Sequence, residues 1–160
     1  MEFKWDFSVV FEYKENLLRG LVVTFELSAI IILAAIIGGI IIGAGRYSKA
    51  KLFNWPSTVF IELFRNTPDL VQIVWFYYAF PVLVGIQMEG FYAALVGIGL
   101  NMIAYTADIV RGGIQSIEKG QWEAAKSIGM GYINVMRRIV LPQALRRIIP
   151  PFTSRIVEAV

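Results

Sequence analysis

Cysteine and histidine are both absent from this chain of 160 residues. Without cysteine the chain has no disulfide and no thiolate metal ligand, and without histidine it has no imidazole for acid–base catalysis or for activating a serine. Charged residues are also scarce, at 17% of the sequence against about 25% in an ordinary soluble domain. These absences argue against a metal site and against most kinds of catalytic site in this chain.

Apolar residues are abundant, because 57% of the sequence is hydrophobic. The net charge of +3 is small and unevenly spread, so we expect no nucleic-acid partner. The first 19 residues mix acidic and basic side chains, and the apolar run after them is longer than the core of a signal peptide. We therefore expect a membrane protein that retains its first hydrophobic segment.

The first predicted span covers residues 21–45 and follows an aromatic, charged segment, residues 1–20, that we expect at the membrane interface. At about 1.5 Å per residue, a helix of this length crosses the ~30 Å hydrocarbon core. Glu26 lies near its start, where it either reaches the interface or faces protein.

Small residues recur every four positions in this span, at Ala35, Gly39 and Gly43. Such a stripe allows a neighbouring helix to approach closely. We expect it to pack against another helix, either in the same subunit or across a dimer.

The second predicted span covers residues 57–86, and its first part is unusually polar. Pro68 has no N–H to donate, so the carbonyl of Phe64 loses its partner in a regular helix. We therefore predict a kink or a broken helix here. Pro81 predicts a further bend near the far end of the span, before a turn at residues 87–90 that contains no Lys or Arg.

The third predicted span covers residues 91–110 and carries polar residues on one face. Asn101, Tyr105 and Asp108 are spaced so that they share that face, and Ala93 and Gly97 extend it as small residues. An acid inside a span is a functional candidate by default, but Arg111 one turn later could simply neutralise Asp108. Both readings stay open.

Basic residues concentrate in residues 111–148, which contain seven Lys or Arg. This bias predicts a cytoplasmic loop and, with it, an N-terminus outside. Residues 149–160 read as the start of another span that the chain does not complete. The expected fold is an all-α transmembrane helical bundle, in a single domain over residues 1–160, with about three complete spans and the beginning of a further one.

The most patterned stretch lies in that loop, at residues 121–142. We predict a helix over residues 121–128, with Glu123 in its first turn, where a carboxylate suits the positive end of the helix dipole. Gly129 fits the left-handed position that ends a helix, and residues 132–145 read as a second helix broken by Pro142. Glu-Ala-Ala is common in helices, so the tripeptide alone carries no functional meaning.

The full register from Glu123 to Pro142 resembles the EAA loop of ABC importer permeases, which docks on the ATP-hydrolysing subunit. Residues 65–72, Arg-Asn-Thr-Pro-Asp-Leu-Val-Gln, and residues 107–114, Ala-Asp-Ile-Val-Arg-Gly-Gly-Ile, are similar to two segments typical of permeases that take up polar amino acids. The resemblance covers nearly the whole chain. Two positions depart from it, since Asp108 stands where the family usually has Glu and Glu26 where it is usually apolar.

The resemblance implies a permease subunit of an ATP-driven importer of polar amino acids in the cytoplasmic membrane of a bacterium or archaeon. The chain itself would not be an enzyme and would bind no cofactor, because ATP and Mg²⁺ would be held by a pair of partner ATPase subunits. The other implied partners are membrane lipid, an extracytoplasmic amino-acid-binding protein, and a second permease subunit that is either identical or related. The residues implied in ATPase coupling are Trp122, Glu123, Ala124, Ala125, Gly129, Met130, Ile139, Leu141 and Pro142.

A polar pathway for a zwitterionic amino acid needs an acceptor for the ammonium group and donors for the carboxylate. The candidates are Glu62, Arg65, Thr67, Pro68, Gln72, Asn101, Tyr105 and Asp108. Asp108 suits the ammonium group, and either amide suits either end of the molecule. Arg65 could bind the carboxylate, but Glu62 and Arg65 are as easily a self-neutralising structural pair, because they are three residues apart in a helix.

Three rival functions are weaker. An ATP-independent secondary transporter or channel is the first alternative, but it often carries inverted repeats, which this sequence does not show, and it gives no reason for the pattern of residues 123–142. A membrane enzyme would need a nucleophile motif or a glycine-rich phosphate loop with Lys, and neither is present. A simple membrane anchor leaves the three polar residues on one face of a span unexplained.

Overall fold

A computed structural model describes residues 11–159 of the chain, and every regular element in that range is helical. The α-helices are α1 (Lys14–Tyr47), α2 (Lys51–Arg65), α3 (Asp69–Val74), α4 (Phe80–Val84), α5 (Gly90–Gln115), α6 (Lys119–Ser127), α7 (Tyr132–Val135) and α8 (Leu141–Ala159). The π-helical turns Trp75–Ala79 and Met136–Val140 join α3 to α4 and α7 to α8.

The two longest apolar helices, α1 and α5, are each long enough to cross a membrane. A third span is present if α2 and the helical stretch from α3 to α4 count as one, despite a bend of 98° between them. The prediction of about three spans is confirmed on that count. Part of the predicted interfacial segment, residues 1–10, lies outside the described residues, but α1 already begins at Lys14 rather than near residue 21.

Helix α5 lies at the centre of the bundle and packs against α1, α2, α3 and α8. Its contact with α1 depends on the predicted stripe of small residues, because Ala35, Gly39 and Gly43 are all buried there. A Cβ atom added at Gly43 would lie 2.7 Å from the carbonyl oxygen of Ala107 and 3.0 Å from Cβ of Val110. Of the two expected uses, packing in the same subunit or across a dimer, the structure shows the first.

The predicted helix break is confirmed, and it falls between Arg65 and Asp69. Asn66 ends α2 in a helical conformation, whereas Pro68 is extended, with φ −57° and ψ 141°. The chain turns here because proline cannot continue the hydrogen bonding of α2. The connection between the first two spans is shorter than the predicted bounds 21–45 and 57–86 imply, since α2 starts at Lys51 and includes Pro56.

Pro81 and Pro142 widen their helices instead of ending them. The residue before each proline donates its N–H five residues back, from Phe80 to Trp75 and from Leu141 to Met136. A widened turn of this kind accommodates the proline ring without interrupting the helix. The prediction that Pro142 breaks the second loop helix is therefore wrong, and α8 continues through Pro150 and Pro151 to Ala159.

The loop after α5 folds back onto the end of that helix. Val110 and Ile114 of α5 form a buried cluster with Ala125 of α6, Val135 of α7 and Ala144 of α8. Helix α6 begins at Lys119, so the prediction that Glu123 lies in its first turn is wrong. The N–H of Gly129 bonds to the carbonyl of Lys126, and the φ of +77° confirms the left-handed end predicted for this glycine.

The close contact between α1 and α5 can be tested by Gly43→Ala. Because the added methyl group meets backbone and side-chain atoms of α5, we expect the free energy of unfolding to fall by about 1–3 kcal/mol. Thermal unfolding of the purified protein in detergent measures the change. Gly20→Ala on the same helix is the control, since no atom lies within 4 Å of the added Cβ there. Equal melting temperatures for the two variants would contradict this account of the packing.

Candidate functional site

The break between α2 and α3 leaves two backbone carbonyls, those of Phe64 and Thr67, without partners in a helix. Two side-chain amides bind both of them. Gln72 Nε2 donates to Phe64 O at 2.8 Å and to Thr67 O at 2.9 Å, and Asn101 Nδ2 donates to the same atoms at 2.9 and 3.2 Å. Both amide side chains are almost fully buried. Because an unpaired carbonyl in an apolar medium costs several kcal/mol, these two residues stabilise the break.

Asn101 also holds Arg155, a residue of α8. Arg155 Nη2 donates to Asn101 Oδ1 at 2.8 Å and lies 3.4 Å from Asp69 Oδ2, while Nη1 lies 2.9 Å from Glu158 Oε2. The guanidinium carbon stands 4.1 Å from the centre of the Tyr105 ring, a cation–π distance. We call Asp69, Asn101, Tyr105, Arg155 and Glu158 the polar centre.

The hydrogen-bonding groups of the polar centre are only partly satisfied. Arg155 Nε is buried and has no hydrogen-bond partner among residues 11–159. The carboxylates of Asp69 and Glu158 are 43% and 63% exposed, so both are accessible from outside the chain. The guanidinium and the two accessible carboxylates can therefore exchange their present contacts for contacts with the charged groups of a ligand.

Asp108 lies one turn beyond Tyr105 on α5, but it is bound by arginines other than Arg155. Arg46 Nη1 is 3.2 Å from Asp108 Oδ1, Arg111 Nη2 is 2.9 Å from the same oxygen, and Arg65 Nη1 is paired with Oδ2. With Glu62, these four residues form what we call the Asp108 cluster, which joins α1, α2 and α5. The geometry favours neutralisation of Asp108 over a free acceptor for an ammonium group, and Arg111 is one of three partners rather than the only one.

Glu62 and Arg65 do not pair with each other. Glu62 accepts from Arg46 at 2.7 Å and from Asn66 at 3.1 Å, whereas Arg65 reaches across to Asp108. The interpretation of Glu62 and Arg65 as a self-neutralising pair is therefore wrong. Their charges are matched through the Asp108 cluster, because Arg46 lies between the two carboxylates.

Helix α6 presents one face to its own chain and leaves the other open. Ala125 is buried, and Met130 and Ile139 pack against the same cluster, so these three residues anchor the loop. Trp122 stacks on Tyr132 with ring centres 5.9 Å apart.

The remaining residues predicted for ATPase coupling, Glu123, Ala124, Gly129, Leu141 and Pro142, are exposed. Ile128 and Ile133, which the sequence pattern did not single out, are each 77% exposed next to them. A surface with large exposed apolar side chains of this kind suits a protein partner.

The structure brings together only part of the predicted pathway. Thr67, Pro68, Gln72, Asn101 and Tyr105 meet at the break, whereas Glu62, Arg65 and Asp108 belong to the separate Asp108 cluster. Sequence reasoning missed Arg155, Asp69, Glu158 and Arg46. Arg155 and Glu158 lie one turn apart in a segment taken as the start of a span, and charges at such positions are the signal that would have revealed them.

Two further features limit the kinds of ligand that this region can hold. Along the bend lies a cavity of about 480 Å³, lined mainly by apolar side chains such as Trp75, Phe76 and Phe80, and such a lining does not suit a zwitterion. Within the part of the chain that the structure describes, no three acidic side chains lie together in an arrangement that would hold a metal ion.

A helical bundle with a broken span, whose free carbonyls are bound by side-chain amides, and with a basic loop folded on its end is the architecture of a polytopic membrane transport protein. Residues 22–160 match the family described as "Binding-protein-dependent transport system inner membrane component". The chain belongs to this family. It is a membrane protein, and members of the family are the membrane-embedded components of their transporters rather than enzymes.

Relatives of known name support the assignment. The chain is 36% identical over 159 residues to the probable amino-acid ABC transporter permease protein YckA of Bacillus subtilis, covering 99% of this chain and 70% of that protein. It is 36% identical over 155 residues to the arginine transport system permease protein ArtQ of the same organism, with coverages of 95% and 69%. For the L-cystine transport system permease protein TcyB the identity is 33% over 141 residues, with coverages of 88% and 60%. The chain thus spans about two thirds of the length of these relatives.

Solved structures agree with the fold. A crystal structure of an amino acid ABC transporter with histidines superposes with a TM-score of 0.87 at 30% identity, covering 98% of this chain and 75% of that one. An inward-facing structure of the MetNI methionine ABC transporter gives 0.73 at 20% identity, covering 92% and 71%. At that identity the second likeness concerns the fold alone.

The Asp108 cluster can be tested by Asp108→Asn. This change removes the carboxylate that three guanidinium groups share, and because the site is partly exposed we expect a loss of about 1–3 kcal/mol in the free energy of unfolding. Thermal unfolding in detergent and transport in vesicles measure the effect, and Asp108→Glu, which keeps the charge, should retain most of both. A melting temperature and a transport rate equal to wild type for Asp108→Asn would refute a bridging role for Asp108.

Proposed function

We propose that this chain is the permease subunit of an ATP-driven importer of polar amino acids, and that the amino acid binds at the polar centre. The observation that carries the proposal is the arrangement around Arg155, where one guanidinium faces two accessible carboxylates at a broken membrane helix. The names of the relatives, which include amino-acid, arginine and cystine transport, agree with this class of substrate.

The chemistry of the centre matches both ends of an amino acid. A guanidinium binds a carboxylate with two parallel hydrogen bonds, and the buried Nε of Arg155 is a donor still without a partner among the described residues. The carboxylates of Asp69 and Glu158 accept an ammonium group. The contact of 3.4 Å between Arg155 and Asp69 is long for a charged hydrogen bond, so a ligand displaces it at small cost.

The polar centre is rigid because side-chain amides bind the free carbonyls at the helix break. Asn101 uses both amide hydrogens on the carbonyls of Phe64 and Thr67 and its oxygen on Arg155, so the guanidinium is held in a fixed position relative to α2 and α3. A site preorganised in this way loses less conformational entropy on binding. Asn101 therefore acts as a positioning residue in addition to lining the site.

The proposed complex contains two permease subunits, identical or related, two ATPase subunits that hold ATP and Mg²⁺, and an extracytoplasmic protein that delivers the amino acid. The ATPase subunit docks on α6, with the N-terminus of the permease outside and the loop inside. Support for this docking comes from the two faces of α6, because Ala125 and Met130 fix the helix to α5 and α8 while Glu123 and Ile128 are exposed. Movement of the ATPase would then pass into the membrane helices.

Arg155→Gln tests the substrate site. Since a hydrogen bond to a charged group contributes about 1.5–3 kcal/mol, we expect the KM for amino-acid transport to rise at least about tenfold. Uptake of radiolabelled amino acid by proteoliposomes containing the whole complex measures it. Arg146→Gln, an exposed arginine earlier in α8, is the control. An unchanged KM for Arg155→Gln would exclude a role of the polar centre in binding.

Gly129→Asp tests the coupling helix. A residue with a side chain is strained at a φ of +77° by roughly 1–2 kcal/mol, so the end of α6 should shift and transport-coupled ATP hydrolysis should be lost while the protein still inserts into the membrane. Gly131→Asp adds the same charge two residues away, where φ is −69° and no atom lies within 4 Å of the added Cβ, and should retain coupling.

Glu123→Lys reverses the charge of the exposed acid on α6 and should also abolish coupling. Transport that stays normal in both Gly129→Asp and Glu123→Lys, or that proceeds without any ATPase subunit, would contradict the ATP-driven function and favour a secondary transporter.

A further inference from the structure

A second cavity, of about 610 Å³, opens where the end of α1 meets the loop that carries α6. Its lining residues are Tyr47, Ser48, Lys49, Gln115, Trp122, Lys126 and Tyr132. It shares no lining residue with the polar centre or the Asp108 cluster, although Gln115 of its lining is hydrogen-bonded to Arg111 of that cluster. None of its lining residues belongs to the predicted substrate pathway, and Trp122 is among the residues predicted for ATPase coupling. Its volume is within the usual range for small-molecule sites, about 300–1,000 Å³.

Each of the seven lining residues carries a hydrogen-bond donor on its side chain. Two lysines supply the only formal charges among the lining residues, and neither forms a salt bridge to another residue in the range 11–159. Gln115 accepts from Arg111 at 2.7 Å through its oxygen, which leaves its amide hydrogens available. Tyrosine, serine and tryptophan side chains add hydroxyl and indole donors. A ligand with several acceptor oxygens and negative charge matches this lining.

The position of the cavity connects it to the membrane. Tyr47 is the last residue of α1, and the face of α1 that leads to it through Ala44, Ile40 and Ile37 is exposed along its length. Ile40 and Ile37 are 52% and 62% exposed. An apolar, outward stripe that ends in a basic pocket is suited to a molecule with acyl chains and an anionic head.

We propose that this pocket binds the phosphate headgroup of an anionic membrane lipid, with the acyl chains lying along the exposed face of α1. Lys49 and Lys126 neutralise the phosphate, and Gln115 and the tyrosine hydroxyls donate to its oxygens. The stacked rings of Trp122 and Tyr132 form one wall and keep the headgroup at the level of the interface. A soluble phosphate compound shares the headgroup chemistry but not the contact with α1.

The lipid would connect the end of a span to the proposed coupling helix. Lys49 follows α1, Lys126 belongs to α6, and Gln115 is bonded to Arg111 of the Asp108 cluster. Binding of one headgroup therefore restrains α6 relative to α1, and we expect it to raise the rate of coupled ATP hydrolysis. The effect on the rate of ATP hydrolysis rests on the proposed function, whereas lipid binding itself does not.

The test uses the whole complex, with its ATPase and second permease subunit, in nanodiscs of phosphatidylcholine with or without phosphatidylglycerol. Native mass spectrometry counts the phosphatidylglycerol molecules that stay bound. The double variant Lys49→Gln/Lys126→Gln should bind this lipid about tenfold more weakly than wild type. The control is Lys51→Gln/Lys119→Gln, which removes the same charge from exposed positions outside the pocket and should bind like wild type.

Equal loss of lipid in both double variants would overturn the proposal, because it would mean that surface charge alone retains the lipid. Unchanged retention in the pocket variant would overturn it as well. Glycerol phosphate added to phosphatidylcholine nanodiscs distinguishes a lipid headgroup from a soluble phosphate compound. If native mass spectrometry shows glycerol phosphate bound to the pocket and no specific retention of phosphatidylglycerol, a lipid ligand is excluded. If the lipid binds as expected but the ATPase rate does not respond, the site stands and the proposed coupling through α6 is contradicted.

Discussion

Two carbonyl groups without helical partners, those of Phe64 and Thr67, set the main constraint on this structure. A membrane offers no water to satisfy them, so the break between α2 and α3 requires donors from the protein. Gln72 and Asn101 supply these donors, and Asn101 in turn positions Arg155. One structural requirement thus produces both the bend in the span and the location of its charged centre.

Two layers of polar contacts follow from this arrangement. The polar centre joins α3, α5 and α8 at the break, and the Asp108 cluster joins α1, α2 and α5. Arg111 extends the second layer to Gln115 at the end of α5, where the loop with α6 packs. A path of packed and hydrogen-bonded residues therefore runs from the proposed coupling helix to the broken span, and the proposed substrate site lies at the end away from that helix.

The sequence predicted local features well where one residue determines the backbone. Pro68 identified the break, Gly129 the end of α6, and Gly39 and Gly43 the packing face of α1. It failed where the outcome depends on residues distant in sequence. Arg46 meets Asp108 across 62 positions and Arg155 meets Asn101 across 54, and no local pattern encodes such pairings. Pro142 was misjudged because a π-helical turn absorbs its effect, which neither propensity nor periodicity predicts.

The position of the bound amino acid is the most direct test of the central claim, that the centre created by the helix break is where substrate binds. Electron cryomicroscopy of the complete complex, saturated with a transported amino acid, would locate it. The account predicts a carboxylate about 2.7–3.2 Å from the guanidinium of Arg155 and an ammonium group facing Asp69 or Glu158. Density for the amino acid elsewhere, with Arg155 still bound to Asn101 and Asp69, would contradict it.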